Sequence, residues 1–161
     1  MIGYGGCTTF SGLILGQVIM GTSSVVPDSA GWLLVAGFAL LFESFYPLTQ
    51  IYQIENDRKR GDVTLAVALG TRPSLALSIA FGIAAGNFLL ATARMWNDMG
   101  TIGHILPQSG AIVAWMLMLA VWYLKAAEMD ASAHEKGMYR ALAVWAVIDG
   151  AVLISRYGFM F

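Results

Sequence analysis

The stretch QIYQIENDRKRGDVTLAVALG, Gln50–Gly70, joins two long apolar segments. Six of the eight residues from Glu55 to Asp62 are ionisable, in a chain of 161 residues that is 58% hydrophobic and only 12% charged. A soluble domain carries about 25% charged residues. Charge gathered at one tip between greasy segments reads as a loop at a membrane surface. The fold class expected is therefore all-α: a single integral membrane helical bundle over 1–161. The length suits one transmembrane domain.

Working outward from Gln50–Gly70, five segments approach the roughly 20 residues a bilayer span needs, at about 7–26, 31–54, 73–96, 109–127 and 138–158. Thr8, Thr9, Ser11, Gln17 and Thr22 interrupt the first with small and hydroxyl side chains, which suit close helix–helix packing in lipid. This predicts a first helix buried among its neighbours. Pro47 predicts a tolerated kink in the second. Seven of the nine Lys and Arg residues (Arg58, Lys59, Arg60, Arg72, Lys125, Lys136 and Arg140) fall in or beside the loops after the second and fourth segments. Basic loops stay in the cytoplasm. The sequence thus predicts an inner-membrane protein with its N-terminus and charged tip cytoplasmic and its C-terminus outside.

Glu43, Gln50 and Asp57 are spaced by seven residues, with Tyr46 and Gln53 falling between them. On one helix these positions share a face. They form a polar stripe expected to wall a cavity that opens at the cytoplasmic tip. A carboxylate such as Glu43 at membrane depth costs about 2.5–3.5 kcal/mol on insertion scales and normally faces a cavity or the protein interior. Beyond it, Glu55 and Asp57 offer oxygen ligands suited to Mg²⁺, which favours one or two carboxylates completed by water and phosphate. Arg58, Lys59 and Arg60 stand beside them as partners for phosphate charge. The plainer reading is a salt-bridged helix end on a positively charged anchor.

The segment around Asp57 resembles the UbiA superfamily of intramembrane prenyltransferases. Asp57 matches the second aspartate of that family's second aspartate-rich motif, Gly61 its glycine, and TLAVALG (Thr64–Gly70) the run that follows. Gln53 stands where the family has the first aspartate, with Glu55 as a nearby acid. YPLTQIYQ, Tyr46–Gln53, is similar to the lead-in of one branch, and GYGGCTTFSG, Gly3–Gly12, to the start of a helix midway through the family. The resemblance implies an all-helical enzyme that binds an isoprenyl diphosphate through Mg²⁺ and passes the prenyl group to an acceptor. It further implies Asp57 and Glu55 as metal ligands, with Gln53, Arg58 and Lys59 at the diphosphate and Glu43, Tyr46 and Gln50 lining the cavity. It covers only the family's C-terminal half, because the first aspartate motif has no counterpart. The expectation is little or no activity alone, and a partner: a chain supplying the N-terminal half, or a second copy. The rival expectation is a non-enzymatic membrane scaffold or transporter half, with Glu43 and Asp149 serving a proton or ion path.

Several classes are set aside. A net charge of −1 gives no electrostatic footprint for nucleic acid. The single Cys7 allows no internal disulfide and no cysteine-based zinc site. No positively charged lead or cleavage site marks a signal peptide at the start. His104 and His134 read as isolated loop residues without metal spacing. Asp149 and Asn87 read as structural, with Arg94, Arg156 or a helix-one hydroxyl as partners for Asp149. The tryptophans read mostly as interface residues.

Overall fold

The computed structural model describes residues 2–21, 26–96 and 105–157, and among these every regular element is helical. The helices are α1 (Ile2–Ile19), α2 (Ser29–Phe45), α3 (Leu48–Ile51), α4 (Ile54–Arg60), α5 (Leu65–Leu69), α6 (Thr71–Trp96), α7 (Leu106–Lys125) and α8 (Ala131–Tyr157). A short 3-10 turn, Ala126–Glu128, follows α7. Four stretches are long and apolar enough to cross a bilayer: Ser29–Ile51, Thr71–Trp96, Leu106–Glu128 and Ala131–Tyr157. They mark the chain as an integral membrane protein. The first expected segment is helical as well, at 18 residues, but it is not one of these four.

Local chemistry sets the helix ends. Asp28 caps α2 by accepting from Gly31 N at 2.7 Å, and Asp130 caps α8 by accepting from Ala133 N at 2.7 Å. Each satisfies a donor that the first helical turn leaves unpaired. Capped by Asp130, α8 begins seven residues earlier than the expected 138, so His134 lies in a helix and not in a loop. The expected second span, 31–54, is three pieces. Tyr46–Pro47 is a turn, since Pro47 has no N–H to continue the ladder, and Tyr52–Gln53 is a second turn.

The core is a seam of α2, α6, α7 and α8. At Gly37 an added Cβ would stand 2.7 Å from Leu89 Cδ2, so the α2–α6 approach requires a residue without one. Ser44 Oγ donates to Ser78 O at 2.7 Å and accepts from Trp115 Nε1 at 3.0 Å, tying α2, α6 and α7 together in fully buried surroundings. Gln108 Nε2 donates to Leu89 O at 2.7 Å. These polar ties hold register where apolar packing against lipid gives little preference.

Helix α1 departs from expectation. It rests on α2, and from Gly3 to Ile19 no residue is fully buried. Tyr4, Leu15, Val18 and Ile19 are exposed. Its tightest approach to α2 is at Gly5, where an added Cβ would stand 2.6 Å from Phe38 O and 2.7 Å from Phe42 Cβ.

Candidate functional site

At one end of the bundle α4 stands beside the starts of α6 and α8. Together they border an open cavity of about 530 Å³ lined by polar groups that include Tyr52, Glu55, Arg58, Asp130, Ser132 and His134. Of the site residues expected from sequence, Glu55 and Arg58 come together here. The other wall, from Thr71 and from Asp130 with the first residues of α8 to His134, was not anticipated. Its one signal was the helix-start pattern at Asp130. His134 is 6% exposed, and its Nδ1 accepts from Trp122 Nε1 at 2.9 Å.

Asp57 does not reach this cavity. It is 3% exposed, and both its oxygens are engaged. Oδ1 pairs with the Arg60 guanidinium, and Oδ2 accepts from Thr64 Oγ1 at 3.2 Å. Thr64 in turn caps α5, accepting from Val67 N at 3.3 Å. Gly61 closes α4 with φ 78°, a left-handed turn suited to glycine, and Asp62 N then bonds Asp57 O at 2.9 Å. Arg60 also bonds Asp62 Oδ2 at 2.8 Å, and the two aspartates hold its guanidinium above the ordinary value, Asp62 foremost. Asp57 thus braces the α4–α5 turn.

The expected stripe does not form one continuous wall, because the breaks at Pro47 and Tyr52 reset the helical phase. Gln50 Oε1 accepts from Ala66 N at 3.2 Å, anchoring α5, and Gln53 Nε2 donates to Thr49 O at 3.1 Å. Lys59 is exposed. Glu43 is half-buried, and its Oε1 has no hydrogen-bond partner among the described residues. Tyr46 stacks on Phe42 with centroids 6.3 Å apart.

That stack belongs to an aromatic groove between α1, α2 and α8. Phe42 meets Tyr4 at 5.8 Å and Trp145 at 6.1 Å, and Phe45 meets Trp145 at 5.3 Å. Two hollows of about 350 and 360 Å³ flank these rings, and Asp149 borders both. Sequence reading treated Trp145 as an interface residue. The signal for the groove was the 38–42–45 phenylalanine spacing, one face of α2.

The Mg²⁺ expectation meets its test in this geometry. Glu55 and Asp57 point to different sides of α4, one exposed at the cavity and one locked inward. Among the described residues no group of three or more His, Cys, Asp or Glu side chains gathers to hold a metal. The pair as arranged does not fit a shared Mg²⁺.

The remaining expectations sort as follows. Arg156 lies over the Trp96 ring at 5.3 Å rather than beside Asp149. Asn87 Nδ2 bonds its own helix at Ile83 O, 2.9 Å, a structural role. His104 lies outside the described residues. Comparison with known protein families, with characterised proteins and with solved structures finds no match to this chain.

Proposed function

We propose that this chain is a partial UbiA-type prenyltransferase, holding the prenyl end of an isoprenyl diphosphate in the aromatic groove and its diphosphate at the charged tip. The observation that carries the reading is the ladder Trp145–Phe42–Tyr46, which leads along α2 from mid-bilayer toward the charged end. Polarisable ring faces suit an allylic chain that develops positive charge. Arg58 meets the diphosphate as a bidentate donor, with the cavity's Ser132 hydroxyl as a further donor. Tyr46 and Glu43 line the membrane level. Asp57, Gln50 and Gln53 position the tip without touching ligand, and no step is assigned to Mg²⁺. By the resemblance, activity needs the family's first aspartate motif, which these 161 residues do not contain. The basic end, from Arg58–Arg60 to Lys136 and Arg140, faces the cytoplasm of an inner membrane.

The test is binding of a radiolabelled isoprenyl diphosphate to the chain in nanodiscs, with inorganic pyrophosphate as competitor. Saturable binding that Arg58→Ala weakens at least tenfold supports the reading. Binding unchanged in Arg58→Ala removes the site.

A second reading, a non-enzymatic scaffold or transporter half, is favoured by one observation: the unpartnered Glu43 oxygen at membrane depth. It predicts no diphosphate binding and a proton leak in proteoliposomes that Glu43→Gln abolishes.

A further inference from the structure

We propose that the groove around Asp149 binds a lipophilic organic cation, a tertiary or quaternary ammonium or a phosphonium carried on an apolar body. Asp149 lies on α8 within a membrane-spanning stretch, yet it is exposed on the bundle surface. Trp145 borders the same two hollows, and no ion pair among the described residues includes the carboxylate. Neither hollow beside it is lined by a Lys, Arg or His. A carboxylate left in lipid costs about 2.5–3.5 kcal/mol, and acyl chains offer nothing to offset that.

The surroundings select the occupant. Phe42 and Phe45 both stand nearly perpendicular to Trp145, at 85° and 80°, so ring faces and edges converge beside the carboxylate. A cation within about 6 Å of a ring face is attracted by the ring quadrupole, more strongly where water is excluded. Tyr4 and Phe38 close the far side from α1 and α2. Each hollow, at about 350 and 360 Å³, is of small-ligand size. Phe42 and Trp145 line both spaces, and Gly5, Thr8 and Thr9 of α1 complete the second; the two threonine hydroxyls donate to Tyr4 O and Gly5 O of their own helix and not to Asp149. The apolar body of the ligand enters sideways from the bilayer, and its charge settles between Asp149 and the rings. The inference uses the same groove as the prenyl reading but does not depend on the diphosphate site.

The experiment is equilibrium binding of tritiated tetraphenylphosphonium to the chain in nanodiscs of zwitterionic lipid, with empty nanodiscs subtracted. Saturable binding is expected. Asp149→Asn and Trp145→Leu should each weaken it at least tenfold, Asp149→Glu should retain it, and Arg58→Ala should leave it unchanged. Because the lipid-facing carboxylate of the empty groove is a cost and not a tie, the Asn variant should melt no lower than the wild type. Uptake equal to that of empty nanodiscs, or equal in Asp149→Asn, overturns the proposal. So does a cross-linked oligomer lost in Asp149→Asn without saturable phosphonium binding, which gives the face to a partner helix. Loss of isoprenyl diphosphate binding with phosphonium binding intact would sink only the prenyl reading.

Discussion

Replacing His134 tests whether the wall of the tip cavity is held by a single buried hydrogen bond. Trp122 is 4% exposed and its Nε1 donates to His134 Nδ1 at 2.9 Å, with the rings stacked at 6.1 Å. In His134→Ala the buried indole N–H loses its acceptor. An orphaned buried donor costs about 1–3 kcal/mol. Hydrogen bonds between helices in lipid run lower, averaging ~0.6 kcal/mol, because the unfolded chain also finds partners there. The void left by the imidazole adds to this, and cavity-creating substitutions to Ala commonly cost about 2–5 kcal/mol. The loss expected for His134→Ala is therefore about 2–4 kcal/mol. His134→Asn keeps an acceptor near the Nδ1 position and should recover a large part of it. The assay is denaturant unfolding in mixed micelles, followed by tryptophan fluorescence. A change below ~0.5 kcal/mol in His134→Ala, or an Asn variant no better than Ala, would refute the account of this wall.

Further outcomes follow from the same packing. Gly137→Ala places a methyl 2.8 Å from Trp122 Cζ2, so overpacking should outweigh the helix-propensity gain and cost about 1–2 kcal/mol in the same unfolding assay. Asp57→Ala should lower the thermal midpoint and expose the α4–α5 turn to protease, with Thr64→Ala a milder version. Loss of ligand binding without any loss of stability would instead make Asp57 a ligand contact. Single cysteines at Lys59 and Lys136, in a chain with Cys7→Ser, should react with a membrane-impermeant maleimide only from the cytoplasmic side.

The fold was legible where composition and period act over long stretches. The four spans were found to within a few residues at most ends, because apolar length alone decides them. The start of α8 was missed because Asp130 caps it in water, outside the apolar window that located the span. The phase of the polar stripe was misjudged for a related reason. Seven-residue spacing implies a shared face only on an unbroken helix, and Tyr46–Pro47 and Tyr52–Gln53 both turn. Asp57 looked like an open ligand because its neighbours are basic. The structure shows that Arg60 and Thr64 take both its oxygens, a matter of side-chain direction that spacing does not report. Glu55 and Arg58 did come together, since positions three apart on α4 face the same way. The aromatic groove required knowing which helices adjoin. Tyr4 and Trp145 are remote in sequence and meet only through Phe42.

The central claim, that one ligand spans the charged tip and the aromatic groove, is tested most directly by photolabelling. An isoprenyl diphosphate carrying a diazirine in its prenyl chain would be cross-linked to the protein in nanodiscs, and the modified residues mapped by mass spectrometry. The account predicts labels on Phe42, Phe45, Tyr46 and Trp145 that excess pyrophosphate removes. Labels spread over lipid-facing Leu117, Val121 and Leu124, indifferent to pyrophosphate, would contradict it.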